Sequence, residues 1–358
     1  MWVYLGHLAD AAGYSNALLA RHALAVDLFM VLSGFLMVHS WKGSDRGIRP
    51  WDKASLRFYI ARFMRISPPY FVLLLACYPM LGDLASMHNA ALRAIPPPWA
   101  ALIENYVPNS AWNFDNARWF WLHVSFLFGL VPGMENSTPL PDWSLSLEMQ
   151  FYFVFPVLLA VTRHIPLIFL GLFGAVLALI SPGLFGNYLD AGTLSHFGQP
   201  SFLPYRLNTF LAGMVIAIWM QRKASNTLTR NASLHLICTG AICLLPMSRT
   251  VIVIYAVFVA LALGKLPKIT RILNLKPLRF LGDISYSIYL AHILIIIPVM
   301  YLLTTHPAFL QLSPHLRFAA ALVLTFPLVV GVSYFLFRWV ELPSIRAGIS
   351  INKYILGN

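Results

Sequence analysis

The stretch Ile165–Ser181 reads IPLIFLGLFGAVLALIS, a run of 17 residues without a charged side chain. About 20 apolar residues in a helix cross a bilayer, and a helix satisfies its own backbone hydrogen bonds where water is absent. The run shows no alternation of polar and apolar positions, which a strand of a membrane barrel would show. It therefore predicts a transmembrane helix.

Similar apolar runs recur along the whole chain, at 22–40, 67–82, 147–162, 206–220, 234–248, 250–264, 280–303 and 317–337. The stub Trp2–Leu8 is too short to cross a bilayer, so we interpret it as the remnant of one more span. Of the 358 residues 59% are hydrophobic and only 11% are charged, which is outside the range of soluble proteins. We expect an all-α bundle of about ten transmembrane helices, forming a single integral membrane domain over residues 1–358 with a truncated first helix.

Basic side chains concentrate in short loops, and the formal net charge is +12. The loops 41–66, 221–230 and 265–279 are rich in Lys and Arg, whereas 83–142 is more acidic than basic and 183–205 has no Lys or Arg. The positive-inside rule places the three basic loops in the cytoplasm and the other two outside. The pattern predicts a multi-pass protein of a bacterial inner membrane, with the lipid bilayer rather than nucleic acid as its partner.

Residues 119–131 are apolar, yet counting them as a span would place the basic loop 221–230 outside. We interpret this segment as re-entrant or interfacial; the alternative is that it spans and that a later helix does not. No metal site is predicted, because Cys77, Cys238 and Cys243 lie in apolar runs without ligand spacing.

Ionisable residues inside apolar spans are costly and are therefore candidates for function. His7 lies in the stub and Asp27 near the start of the next span. A neutral imidazole can take a proton from a hydroxyl, and a carboxylate can orient the ring. A packed histidine and a helix-capping aspartate explain the same residues, and the residue pattern leaves both interpretations open.

Arg62 and Arg65 lie three residues apart, on one face of a helix that begins in a basic loop. They can bind phosphates of a cytosolic donor or serve only as a cytoplasmic anchor. Glu148 lies one turn inside an apolar run and needs a partner or a cavity. The alternative is that Ser144 or Ser146 caps the helix and that Glu148 interacts with the helix dipole.

Further polar side chains interrupt the apolar runs and are candidates for a substrate channel: Ser146, Tyr152, Arg206, Tyr289 and His292. The buried position expected for His292 requires a hydrogen-bond partner, whereas serines in such a helix can also serve close packing. Arg206 is interpreted as an interfacial anchor or as a contact to the acceptor.

Five motifs, taken together and in order, resemble acyltransferase family 3 across almost the whole chain. They are V-D-L-F-x-V-L-S-G-F at 26–35, R-x-x-R-I-x-P-x-Y at 62–70, W-S-L-S-x-E-x-x-F-Y-x-x-F-P at 143–156, R-x-x-x-F-x-x-G at 206–213 and S-Y-x-I-Y-L-x-H at 285–292. The resemblance implies an integral membrane O-acyltransferase that uses acyl-CoA, commonly acetyl-CoA, as donor substrate and has no tightly bound cofactor. It implies a carbohydrate or glycolipid acceptor, such as a cell-envelope or exported glycan.

The resemblance assigns the first-helix histidine to His7, the arginine pair to Arg62 and Arg65, and the motif glutamate to Glu148. Family members usually carry an arginine about three helical turns before the histidine. Only six residues precede His7, so a shortened first helix is expected.

Two mechanisms remain open: His7 as general base, with Glu148 or Asp27 holding its tautomer, or an acyl-histidine relay. We expect His7 and Glu148 toward the outer ends of their spans, so that the acyl group must thread a polar channel. A transporter or flippase of a glycan or lipid intermediate is the alternative function, since charges inside a membrane also mark transport paths.

Overall fold

The computed structural model describes residues 1–41, 52–103, 106–108, 110, 112, 117–162, 165–186, 197, 199–224 and 230–356. The described chain is helical and contains no strand. Its helices are α1 (Trp2–Ala11), α2 (Ala23–Ser40), α3 (Lys53–Cys77), α4 (Leu81–Ala94), α5 (Ala117–Val124), α6 (Trp143–Val161), α7 (Leu167–Phe185), α8 (Leu207–Ala224), α9 (Arg230–Cys243), α10 (Arg249–Ala262), α11 (Pro267–Leu273), α12 (Lys276–Asp283), α13 (Ser285–Thr304), α14 (Pro307–Leu310), α15 (Pro314–Leu336) and α16 (Leu342–Leu356). The loop residues 42–51, 187–196 and 225–229, which contribute to the predicted sidedness, lie outside the described residues.

Six helical segments of the described chain are long and apolar enough to cross a membrane: Ala23–Ser40, Lys53–Ala94, Trp143–Val161, Leu167–Phe185, Ser285–Thr304 and Pro314–Ile355. The all-helical class and the multi-pass architecture are thus confirmed, whereas the count of about ten spans is not. α9 and α10 coincide with two predicted spans but have 14 residues each. At 1.5 Å per residue each reaches about 21 Å, less than a hydrocarbon core of about 30 Å.

The apolar segment 119–131 contains the end of α5 and a 3-10 turn at Leu127–Leu130. α5 has eight residues, too few to cross a membrane, and Phe126 breaks the helix with a left-handed φ of 60°. The segment is therefore not a single spanning helix. Its re-entrant placement stays a prediction, because the helix geometry alone does not define membrane depth.

α2 and α8 pack backbone against backbone at a pair of glycines. A Cβ atom on Gly34 would lie 2.0 Å from the carbonyl oxygen of Phe210, and one on Gly213 would lie 1.8 Å from the carbonyl oxygen of Val31. Small residues allow such close approach between membrane helices, where dispersion contacts rather than hydrophobic exclusion hold helices together. This contact holds α2 against α8. α2 carries Asp27 and Ser33, whose polar contacts are described below.

α16 lies along the first half of α3. The Asn352 side chain donates a hydrogen bond from Nδ2 to the Arg57 carbonyl oxygen at 3.1 Å, and a Cβ on Gly348 would lie 2.9 Å from the Met64 Cβ. The helical segments that contain the two helices, Lys53–Ala94 and Pro314–Ile355, have 42 residues each. A 3-10 turn at Tyr78–Met80 and a π-helical turn at Phe337–Glu341 interrupt these segments, so neither is one straight helix. α3 alone, with 25 residues, is about 38 Å long and exceeds a hydrocarbon core of about 30 Å.

Candidate functional site

A cavity of about 690 Å³ lies beside α1 and the second half of α13. Its titratable lining residues are His7, Asp10, Tyr14, His22, His88 and Tyr106, and its other large aromatic rings come from Trp99, Trp112 and Trp143. His22 immediately precedes α2, so we name this side of the bundle the cavity end. Ser40, the last residue of α2, lies about 27 Å away along the 18-residue helix.

His7 is surrounded by other imidazole rings. Its ring centroid lies 4.6 Å from that of His22 and 5.4 Å from that of His292. His292 is fully buried, and its Nδ1 donates to the carbonyl oxygens of Tyr289 at 2.7 Å and Ile288 at 3.1 Å. Because Nδ1 carries the proton, Nε2 of the neutral ring carries the lone pair, and it has no hydrogen-bond partner among the described residues.

Asp27 does not occupy the position predicted for a carboxylate that orients His7. Its Oδ1 lies 3.3 Å from Nε of Arg206, and both side chains are largely buried. A buried charge needs a partner of opposite sign. Here the Asp27 carboxylate on α2 and the Arg206 guanidinium just before α8 supply this partner to each other. Arg206 therefore has an ion-pair partner in the bundle, and its role as an interfacial anchor or as a contact to the acceptor stays a prediction.

Glu148 lies halfway through the bundle rather than at its outer end. Its Oε1 accepts a hydrogen bond from Ser33 at 2.9 Å and another from Tyr152. Ser33 is in the middle of α2, and Glu148 is the sixth residue of α6, which starts at the cavity with Trp143 and carries Glu148 away from it. No described contact joins Glu148 to His7.

Arg62 adjoins this glutamate from the end opposite the cavity. Its Nη2 donates to the Ser40 hydroxyl at 2.7 Å, and its guanidinium lies 6.0 Å from the Tyr152 ring centroid. Arg62 is half-buried and Arg65 is exposed, and both act electrostatically on Glu148. We name this side of the bundle the arginine end. Both arginines lie on α3 and act on the same carboxylate, which is consistent with the prediction that they share one helix face.

A column of polar side chains runs between the two ends. His292 and Tyr289 are one turn apart on α13, the Tyr289 and Ser144 hydroxyl oxygens lie 2.7 Å apart, and Ser144 is one turn before Glu148 on α6. His7 begins the column at the cavity, and Tyr152 and Arg62 continue it beyond Glu148. The column thus includes Tyr289, His292 and Tyr152 of the predicted channel residues.

Ser146, another predicted channel residue, forms hydrogen bonds with the backbone of the turn after α5. Its hydroxyl donates to the Phe126 carbonyl oxygen at 2.6 Å and accepts from the Gly129 backbone N–H at 3.1 Å. It therefore fastens the turn after α5 to α6. Gly129 allows this contact, since a Cβ there would lie 2.4 Å from the Ser146 hydroxyl.

Several polar residues near these regions were not predicted from the sequence. Asp10 lies one turn after His7 on α1, so the spacing in the sequence could have predicted that the two share a helix face. His22 and His88 come from separate segments, and no sequence spacing connects them to His7. Near the arginine end, buried Glu341 accepts a hydrogen bond from Ser287 at 2.9 Å. It follows α15 in a π-helical turn, where the hydrophobic pattern alone does not indicate burial.

The sequence was compared with protein families and curated proteins. A model of the acyltransferase domain family matches residues 1–334. The chain is 27% identical to the peptidoglycan O-acetyltransferase OatA of Listeria monocytogenes, over 92% of this chain and 52% of that protein. It is 29% identical to the exopolysaccharide production protein ExoZ of Rhizobium meliloti, over 80% of each chain. The chain thus spans about half the length of the first relative, and no solved structure matches it.

Proposed function

The chain belongs to the acyltransferase family whose model covers residues 1–334, and from this premise we propose that it transfers an acyl group, acetyl in particular, from cytosolic acyl-CoA to a hydroxyl of a cell-envelope or exported glycan. In this proposal the arginine end faces the cytoplasm of a bacterium and the cavity end faces outside. The names of OatA and ExoZ, which refer to peptidoglycan and exopolysaccharide, support a glycan acceptor.

The polar column carries the proposal. A donor in the cytosol and an acceptor outside the membrane require a path through the hydrocarbon for a polar thioester or ester group. Polar side chains inside a membrane bundle are costly unless they are paired or functional. Here they follow one another from Arg62 through Glu148, Ser144 and Tyr289 to His292, with one hydrogen bond crossing from α6 to α13.

His7 is the general base in the proposed reaction. It is half-buried, lines the cavity and thus can meet an acceptor hydroxyl that enters from the open side. The hydroxyl oxygen attacks the thioester carbonyl carbon while His7 takes its proton; the C–O bond forms, the C–S bond breaks, and the proton passes to the leaving thiolate. An acyl-histidine relay would use the same residue as nucleophile, with the acceptor attacking in a second step.

The other predicted catalytic carboxylates have supporting positions in this proposal. Glu148 accepts hydrogen bonds from Ser33 and Tyr152 and thereby fixes the middle of the polar column. Its charge also balances that of Arg62. Asp27 holds Arg206 through their ion pair and thus fixes the start of α8 against α2. Neither is placed to orient His7.

The acceptor site in this proposal is the cavity itself. Its walls carry several aromatic rings, among them Trp99, Trp112 and Trp143, and polar groups such as Asn136. Sugar rings have apolar C–H faces and polar edges, and amphipathic aromatic side chains with a few polar groups suit both. A volume of about 690 Å³ is within the range of pockets that hold small ligands.

The test is transfer of labelled acetyl from acetyl-CoA to purified cell-envelope glycans by membranes that contain the protein. We expect label that mild alkali releases from the glycan, as an ester requires. His7→Gln should lower transfer by about 10²-fold or more, because an amide keeps hydrogen bonding but cannot take the proton.

The matched control is His306→Gln, which changes an exposed histidine far along the chain in the turn after α13. It should keep full transfer at equal abundance in the membrane. Near-normal transfer by His7→Gln would remove this residue from the mechanism, and no transfer by the unmutated protein to any glycan tested would contradict the proposed function.

A further inference from the structure

Three metal-ligating side chains meet at the cavity end. One ligand atom from each of His7, Asp10 and His22 lies within 4.8 Å of the other two, and all three residues are half-buried. All three line the cavity, so the cluster is open to small solutes from one side.

The local sequence brings the three together. His7 and Asp10 are one turn apart on α1 and share a helix face. Gly6 leaves room for the third residue: a Cβ on Gly6 would lie 2.4 Å from the Cβ of His22. The His22 ring therefore lies directly on α1, where a larger residue at position 6 would push it away.

His22 also has the orientation of a metal ligand. Its Nδ1 lies 3.0 Å from the Leu19 carbonyl oxygen, which can only accept, so Nδ1 carries the proton and Nε2 the lone pair. Metal-ligating histidines commonly donate their second ring nitrogen to a carbonyl in this way, which fixes the tautomer and the ring.

Two imidazoles and one carboxylate favour a first-row transition metal such as Zn²⁺ over Ca²⁺ or Mg²⁺, which prefer oxygen ligands only. Bonds of about 2.0–2.2 Å place tetrahedral ligand atoms about 3.3–3.6 Å apart, so side-chain rotations of about an ångström close the site. Three protein ligands leave the fourth tetrahedral position free for water.

We propose that His7, Asp10 and His22 bind a divalent transition metal ion, and that the bound ion inhibits acyl transfer by occupying the lone pair of His7. The metal site stands on the geometry alone. The inhibition rests on the proposed function, in which that lone pair accepts the proton of the acceptor hydroxyl.

The site is tested by equilibrium dialysis of the full chain in detergent against Zn²⁺, with metal content measured directly. We expect one cavity-end ion per chain, and at least tenfold weaker binding in Asp10→Asn and His22→Gln, since each removes one of three ligands. His22→Cys should retain Zn²⁺ because a thiolate replaces the imidazole, which separates loss of a ligand from loss of folding.

His88→Gln is the matched control, because His88 lines the same cavity but is not one of the three clustered residues. Its Zn²⁺ affinity should equal that of the unmutated chain. Equal Zn²⁺ affinity in the unmutated chain, Asp10→Asn and His22→Gln would overturn the site, as would an equal loss in His88→Gln.

The inhibition is tested separately, by acetyl transfer with and without Zn²⁺ and after its removal with EDTA. We expect transfer to fall as the site fills and to recover with the chelator. Binding without inhibition would leave the site standing and contradict the role of His7. Absent binding together with transfer that still needs His7 would overturn the site and leave the proposed function intact.

Discussion

The hydroxyl oxygens of Ser144 and Tyr289 lie 2.7 Å apart and form the hydrogen bond that joins α6 to α13. Ser144 is buried and lies one turn before Glu148, and Tyr289 lies one turn before His292. The bond therefore connects the glutamate in the middle of the bundle to the histidines at the cavity. Without it, the polar column has no described hydrogen bond between these two helices at this depth.

This pair should show energetic coupling. We expect Ser144→Ala and Tyr289→Phe each to lower the free energy of unfolding, and the double variant to lose about 1 kcal/mol less than the sum of both losses. Denaturant unfolding of the four proteins in the same detergent measures this. Strict additivity would show that the bond contributes nothing to joining the helices.

The two arginines should affect donor binding more than chemistry. We expect Arg65→Ala, and Arg62→Ala more severely, to raise the KM for acyl-CoA by about tenfold or more, because each loses a charge-assisted contact to phosphate. The larger effect at Arg62 follows from its hydrogen bond to Ser40 and its position beside Glu148. Steady-state kinetics at saturating acceptor measure the change.

Lysine replacements and one control complete this experiment. Arg→Lys at both positions should restore only part of the affinity, since an ammonium group cannot make the two-pronged contact of a guanidinium. Arg279→Ala, at an exposed position of α12, is the control and should leave KM unchanged. Full recovery of the KM with lysine would contradict a specific phosphate contact and would leave the two positive charges with a role in membrane orientation only.

The glycine contact between α2 and α8 should not tolerate a methyl group. We expect Gly34→Ala and Gly213→Ala to destabilise the protein by on the order of 3 kcal/mol, because backbone oxygens about 2 Å away cannot yield without parting the helices. Thermal unfolding in detergent measures the loss. Gly331→Ala in α15, which meets no atom within 4 Å, is the control and should be neutral or slightly stabilising.

Membrane sidedness should follow the charge of the loops. In a variant without native cysteines, a cysteine at Asn136 should react with an impermeant maleimide in intact cells, whereas one at Arg271 should react only after permeabilisation. Both positions are exposed. Labelling of position 136 only after permeabilisation would contradict the predicted topology and the placement of the cavity outside.

Hydrophobic pattern predicted the helical bundle well, because apolar runs such as Leu167–Phe185 have one stable solution in a membrane. The number of transmembrane helices was harder to predict from the sequence. α9 and α10 are apolar but have only 14 residues each. Hydropathy indicates that a segment is apolar, but it does not locate the residue at which the helix ends.

The sequence also located most members of the polar column but not their partners. Glu148 and Asp27 were recognised as costly charges, yet their partners Ser33 and Arg206 depend on how α2 contacts α6 and α8. Helix packing of this kind follows from glycines whose significance appears only in three dimensions. His22 was missed for the same reason, since 12 or more residues separate it from Asp10 and His7 in the chain.

α3 is longer than the hydrocarbon core is thick, so we expect one end of it to lie in water and the chain to be stabilised in two different solvents. Inside the lipid, helices gain nothing from excluding water, but any part of the α3–α16 pair that lies in water is held by the ordinary hydrophobic effect. Chaotropes such as urea weaken that effect in water and scarcely enter the lipid. The paired region of α3 and α16 should therefore melt first in urea, and the contacts around Arg62 should be lost before the intramembrane core loses its fold.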